Sequence, residues 1–199
     1  VGLGKTVEAG LILKEYAIRG LARRVLILTP PALRTQWQEE MREKFSLEFE
    51  VLRSVKDWST HPFLLASLDT AKREPHGTAA RNARWDLVIV DEAHRLKNSR
   101  TLNYRLARDI SSTYLLMLTA TPIQNSLAEL YNLINLVKPG LLGSRLEFQS
   151  RFSADSKGRR VTNQLALQRI LSDVMVRTRR KETGLPFTRR FSNTVRLIP

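Results

Sequence analysis

Cysteine is missing from all 199 residues. Neither a disulfide framework nor a thiolate zinc site is therefore available, which fits an intracellular chain. No apolar run approaches the roughly 20 residues that a membrane-spanning helix needs, and signal-peptide patterns, internal repeats and low-complexity tracts are absent as well. Acid is scarce relative to base: 19 Asp and Glu against 33 Lys and Arg leave a net charge of +14. Such an excess asks for a polyanionic partner, nucleic acid first. It is also uneven, since residues 145–199 carry thirteen Lys or Arg and four Asp or Glu. What remains is ordinary. A content of 42% hydrophobic and 26% charged residues is that of a folded globular protein, and the length suits one domain with an attached subdomain.

The chain is organised around Trp85-Asp86-Leu87-Val88-Ile89-Val90-Asp91-Glu92-Ala93-His94. A short β-branched run of this kind predicts a strand buried on both faces. Its end delivers Asp91 and Glu92 into the crevice beyond the strand termini, where open α/β sheets bind ligands. Magnesium carried by a nucleotide suits such a pair, because it takes one or two carboxylates and fills its shell with phosphate oxygens and water. Alone, the pair is equally a solvated loop. The opening residues decide between the two: Gly4-Lys5-Thr6 is the back half of a phosphate-binding loop. Its glycines let backbone N–H groups approach phosphate, Lys5 reaches the β/γ-phosphates and the Thr6 hydroxyl ligates magnesium. Because the sequence opens on Val1 inside this motif, the launching strand is expected to be missing, leaving an apolar slot in the middle of the sheet.

In order, a helix is predicted over residues 6–19, a strand over 24–28 and a helix with Leu33, Trp37, Met41 and Phe45 on one face. Trp37 reads as core rather than as a platform for stacking a base. Short strands are expected at 49–52 and 63–66, followed by a polar, basic loop over 72–84. His61 and His76 fall in turn-like contexts where an exposed imidazole is expected. A helix over 101–110 and a strand over 114–118 come next. Strands alternating with helices predict a parallel α/β sheet. Ser126 to Glu129 forms a capping box before a helix with Leu127, Leu130, Tyr131, Ile134 and Val137. Residues 141–183 read as helical, with 153–162 a basic loop and Leu167, Ile170, Leu171 and Val174 an apolar stripe. The cluster Arg177, Arg179, Arg180 and Lys181 is either a solvated helix end or a polyphosphate contact. Phe191, Val195 and Leu197 allow a last strand.

With these pieces placed, the chain resembles the first RecA-like lobe of a superfamily-two motor of the Swi/Snf-like ATPases. The resemblance rests on Gly-Leu-Gly-Lys-Thr at 2–6, Leu-Thr-Pro-Pro-Ala-Leu with Gln36-Trp37, DEAHRLKN at 91–98, LTATPIQN at 118–125, and Val176 to Lys181 before Leu185-Pro186. It implies a RecA-like (P-loop NTPase) sheet flanked by helices over 1–125, a helical insertion over 126–183 and a returning strand over 184–199. A second RecA-like lobe lies outside the sequence. It also implies ATP and Mg²⁺ as cofactors, with Gly2, Leu3, Gly4, Lys5 and Thr6 on the nucleotide and Thr6 and Asp91 on the metal. Lys5, Asp91 and Glu92 are the catalytic residues, Glu92 acting on the attacking water. His94, Thr119, Thr121 and Gln124 would couple this site to a nucleic-acid path contacted by Pro30, Arg34, Ser67, Lys97 and Asn98.

The implied activity is ATP-driven translocation on double-stranded DNA. A DEAH-type strand-separating helicase or restriction-type motor and a non-catalytic basic nucleic-acid-binding module are the alternatives. The lobe alone is expected to hydrolyse ATP poorly. Val1, Glu8 and Ala9 lean toward the bacterial RNA-polymerase-associated type. RNA polymerase or another nucleoprotein complex is thus an expected partner. The expected location is the cytoplasm of a bacterium or archaeon, at the nucleoid, or the nucleus of a eukaryote. Ala120 stands where many family members carry Gly.

Overall fold

The computed structural model describes residues 4–120, 127–153 and 161–176. Helix α1 (Lys5–Ile18) starts behind Gly4, whose φ of 77° lies in the left-handed region that a glycine enters without Cβ strain. Strand β1 (Val25–Leu28) leads through a 3₁₀ turn (Pro31–Leu33) into α2 (Arg34–Phe45). The two-residue β2 (Glu50–Val51), α3 (Asp57–Thr60), β3 (Phe63–Ala66), α4 (Leu68–Ala71) and α5 (His76–Asn82) follow. Strand β4 (Arg84–Val90) runs into a 3₁₀ turn (Ala93–Leu96), then α6 (Leu102–Asp109) and β5 (Ser111–Met117). Helices α7 (Leu127–Val137), α8 (Arg145–Phe152) and α9 (Gln164–Ser172) complete the described elements.

All five strands pair in parallel, in the order β2-β3-β1-β4-β5. Because strand side chains alternate, β1, β3, β4 and β5 each feed two cores. Val25, Ile27, Leu65, Leu87 and Ile89 meet Ala9 and Leu13 of α1 and Trp37, Met41 and Phe45 of α2. Leu26, Leu28, Leu64, Ala66, Val88 and Val90 meet Trp58, Leu68, Ala80 and Leu106 on the opposite face. Burial on both faces explains why β1 and β4 read as unbroken apolar runs rather than as alternating ones. The first core is tight where α1 crosses α2: a Cβ built on Gly10 would stand 2.1 Å from the Phe45 ring.

A third cluster joins Leu127, Leu130 and Ile134 of α7 to Phe148 and Phe152 of α8 and Leu167 and Leu171 of α9. Helix α7 is shared: its Leu133 packs in the second core of the sheet, and Leu136 packs against that core. Ser144 and Glu147 form a capping box at the start of α8, and a bridge between Ser153 and Val161 closes the base of the expected basic loop.

Three expectations need correction. The sheet shows no slot in its middle: among the described residues it is continuous, and β5 is an edge whose Tyr114, Leu115, Leu116 and Met117 are only half-buried. The expected loop over 72–84 contains α5, which buries only Gly77 and Ala80 and so carries no large apolar periodicity. His76 is not an exposed turn residue: its Nδ1 accepts a hydrogen bond of 3.1 Å from Trp58 Nε1. The expected capping residue Ser126, the cluster at 177–181 and the last strand lie outside the described residues.

Candidate functional site

Parallel strands aim their C-terminal ends at one edge of the sheet. Thr29, Ser67, Asp91 and Leu118 therefore emerge together, each one position beyond its strand or at its end. Backbone bonds knit this edge: Thr29 N–H donates to Ala66 O (3.0 Å), Asp91 N–H to Leu28 O (2.8 Å) and Ala93 N–H to Leu118 O (2.9 Å). Thr119 thus leaves the sheet beside the turn that holds Asp91 to His94. The first turn of α1 faces the same edge, since Lys5 Nζ lies 3.5 Å from Glu92 Oε1. Lys5 and Glu92, 87 positions apart, are brought together as the sequence predicts, and Thr6 is the next residue of the same helical turn. Gly2 and Leu3 lie outside the described residues.

The two adjacent acids are held very differently. Asp91 is 5% exposed. Its Oδ2 accepts from Trp37 Nε1 (3.0 Å) and Thr29 Oγ1 (3.3 Å), and its Oδ1 accepts from the Glu92 backbone N–H (2.8 Å). Glu92 sits at φ 50° and ψ 46°, a left-handed conformation that costs a residue with a Cβ about 1 kcal/mol. This twist swings its side chain away from the strand axis toward Lys5. Its other oxygen lies 3.0 Å from His94 Nδ1, a nitrogen that makes no hydrogen bond among the described residues. One carboxylate is locked by three donors; its neighbour has two loose contacts and freedom to change partner.

Among the described residues no group of three or more His, Cys, Asp or Glu could hold a metal by itself. The donor set nevertheless suits magnesium that arrives on a nucleotide. A carboxylate offers about four lone-pair positions, and three of those on Asp91 are filled, leaving one on Oδ1 for a cation. The Thr6 hydroxyl would supply the second protein oxygen.

The expected nucleic-acid contacts also gather at this edge, with differing availability. Pro30 and Arg34 flank the turn after β1, half-buried. Asn98 is exposed, its Oδ1 accepting from the Arg100 N–H (3.0 Å). Lys97 Nζ is engaged by Glu129 Oε1 at 3.1 Å. Ser67 departs from expectation: it is 2% exposed, and its hydroxyl accepts from the Thr70 N–H to cap α4, so it lies beneath the surface rather than on it. Arg95 forms a fork on both oxygens of Asp69 (3.2 and 2.9 Å), and Lys72 adds a third contact. These two cations hold the Asp69 carboxyl below its usual range and tie the turn after β4 to α4. Asn132, buried in α7, donates to the Lys97 carbonyl at 2.8 Å. Sequence reasoning missed Thr29, Trp37 and Asn132. Thr121 and Gln124 lie outside the described residues.

A parallel sheet with a glycine-led helix and a strand-end acid pair at one edge defines a RecA-like nucleotide-binding fold. A family model for the SNF2-related domain matches residues 1–197, and the chain belongs to that family. It is 47% identical over 195 residues to a protein of Bacillus subtilis (strain 168) named "Uncharacterized ATP-dependent helicase YqhH", covering 98% of this chain and 35% of that one. It is 40% identical over 153 residues to the RNA polymerase-associated protein RapA of Stutzerimonas stutzeri, covering 70% of this chain and 16% of the relative. Among solved structures, the Sulfolobus solfataricus SWI2/SNF2 ATPase core in complex with dsDNA matches at a TM-score of 0.76 and 27% identity, over 89% of this chain and 38% of that one. The same core domain described without DNA matches at 0.74 and 25%, over 94% and 40%. The chain therefore spans well under half the length of these relatives.

Proposed function

We propose that this chain is the ATP-binding lobe of a motor that moves along double-stranded DNA by hydrolysing ATP. The observation that carries the reading is the approach of Lys5 to Glu92 beside the locked Asp91, which assembles both halves of a phosphate site at one sheet edge. In this reading Lys5 leaves Glu92 for the β/γ-phosphates, and the freed carboxylate orients the attacking water. Gly4 and the N–H groups opening α1 hold phosphate oxygens. Magnesium, when bound by Asp91 and Thr6, supplies charge neutralisation to the phosphates. His94, touching Glu92, and Thr119, beside it, relay its state toward the DNA-facing turns.

Double-stranded DNA as the track is supported by the net charge of +14 and by the DNA-bound relative of the same fold. Pro30, Arg34, Lys97 and Asn98 are the surface contacts of that track, to the phosphate backbone rather than to bases. The RapA relative supports RNA polymerase, or a similar nucleoprotein complex, as the setting. The test is ATP hydrolysis by a protein that joins this lobe to a second RecA-like lobe, with and without blunt duplex DNA. Stimulation by the duplex without strand displacement supports a translocase. Strand displacement would instead indicate a separating helicase, and no stimulation would remove DNA as the track.

A further inference from the structure

The three tryptophans of this chain meet three different fates. Trp58 Nε1 donates to His76, and Trp85 Nε1 is buried with no hydrogen-bond partner among the described residues. Trp37, 1% exposed, donates to a carboxylate, Oδ2 of Asp91, at 3.0 Å. Trp85 is buried without such a bond among the described residues, so burial alone does not oblige Trp37 to find Asp91. The carboxylate has no basic partner among the described residues; its charge is held by neutral donors from Trp37, Thr29 and the Glu92 backbone. A buried carboxylate secured this way loses its freedom to rotate and presents a fixed oxygen to an incoming cation.

We propose that Trp37 is a positioning residue for the magnesium ligand. Its indole N–H, with the Thr29 hydroxyl, occupies both lone pairs of Asp91 Oδ2, so that Oδ1 alone faces the cation. The proposal deepens the nucleotide-site reading and rests on it. Trp37 acts through Asp91, without touching nucleotide or metal. Its ring is anchored among Met41, Phe45, Ile27 and Ile89 in the first core, so the direction of the N–H is set by packing rather than by solvent. Thr29 directly follows β1, and Trp37 lies one turn beyond Arg34. The two donors therefore bracket the turn proposed to meet DNA.

The test uses two replacements at one position. Trp37→Phe removes the donor and part of the ring; exchanging the indole for benzothiophene removes the donor and keeps the shape, which answers for any loss of folding in the first. Affinity for ADP is measured in EDTA, and Mg²⁺ is then titrated onto the ADP-loaded full chain, with Mn²⁺ paramagnetic resonance as a direct count of bound metal. The expected result is metal affinity lowered by about ten- to hundredfold with ADP affinity in EDTA unchanged, in both variants. Metal affinity within about twofold of wild type in the benzothiophene protein overturns the proposal. So does an equal loss of ADP affinity in EDTA, which would mark a tryptophan that only supports the core. A wild-type chain whose ADP affinity ignores Mg²⁺ would instead overturn the nucleotide-site reading itself.

Discussion

Glu92 occupies a backbone conformation that few glutamates adopt, with a cation on one side and an imidazole on the other. Such strain persists where the surroundings impose it, and functional sites are where it collects. Replacing the carboxylate by an amide keeps the shape and removes the group proposed to act on the attacking water. Glu92→Gln should lower DNA-stimulated ATP hydrolysis by about a hundredfold or more and leave affinity for the magnesium nucleotide nearly unchanged, as single-turnover and binding measurements would show. Asp57 tests the structure away from the site. Backbone N–H bonds from Ser54 and Arg53, with the Ser54 hydroxyl, lower its carboxyl from 3.8 to about 2. The folded state therefore releases this proton more readily than the unfolded one. The resulting stability is fully present above about pH 4 and is lost as pH falls toward 2. Urea unfolding followed from about pH 5 down to about pH 2 should show a shallower acid decline for Asp57→Asn.

At the scale of elements, α1 and α2 approach closely because residue 10 has no side chain. Alanine gains about 1 kcal/mol over glycine inside a helix, but a Cβ 2.1 Å from the Phe45 ring must move that ring within a packed core, at about 1–3 kcal/mol. Gly10→Ala should therefore destabilise by up to about 2 kcal/mol in chemical denaturation, and Phe45→Leu in the same chain should recover part of it. Helix α7 is fastened to the turn after β4 by Asn132 on the Lys97 carbonyl and by Glu129 on the Lys97 ammonium. Glu129→Gln should free Lys97 for phosphate, raising duplex DNA affinity at low salt and steepening its logarithmic salt dependence by about 0.9. Adding Lys97→Ala to Glu129→Gln should remove that increment. The legible parts of this architecture are those written as local patterns. Residues 85–90 announce a doubly buried strand, and Gly4-Lys5-Thr6 announces its own helix. Helix α5 stayed hidden because Gly77 and Ala80 are too small to register as an apolar face. The bond from Trp37 to Asp91 stayed hidden because it joins positions 54 apart, and only the sheet order brings them together. Leu133 and Leu136 fall outside the stripe read from the sequence, and they face the sheet while Leu127, Leu130 and Ile134 face α8 and α9.

At the scale of the whole molecule, every strand delivers its C-terminal end to one edge, where the start of α1 brings Lys5 to the adjacent acids Asp91 and Glu92. A net charge of +14 gives the chain a field that draws polyanions, and nucleotide and nucleic acid are both polyanions. The account therefore depends on specific binding at Lys5 rather than on attraction alone. The most direct measurement is the affinity of a fluorescent ATP analogue for the chain at 0.15 M salt, the ionic strength at which surface charges are screened beyond about 8 Å. Binding should saturate, require Mg²⁺ and weaken by about tenfold or more in Lys5→Ala, the loss of one charge-assisted contact. Equal affinity of wild type and Lys5→Ala would contradict the account.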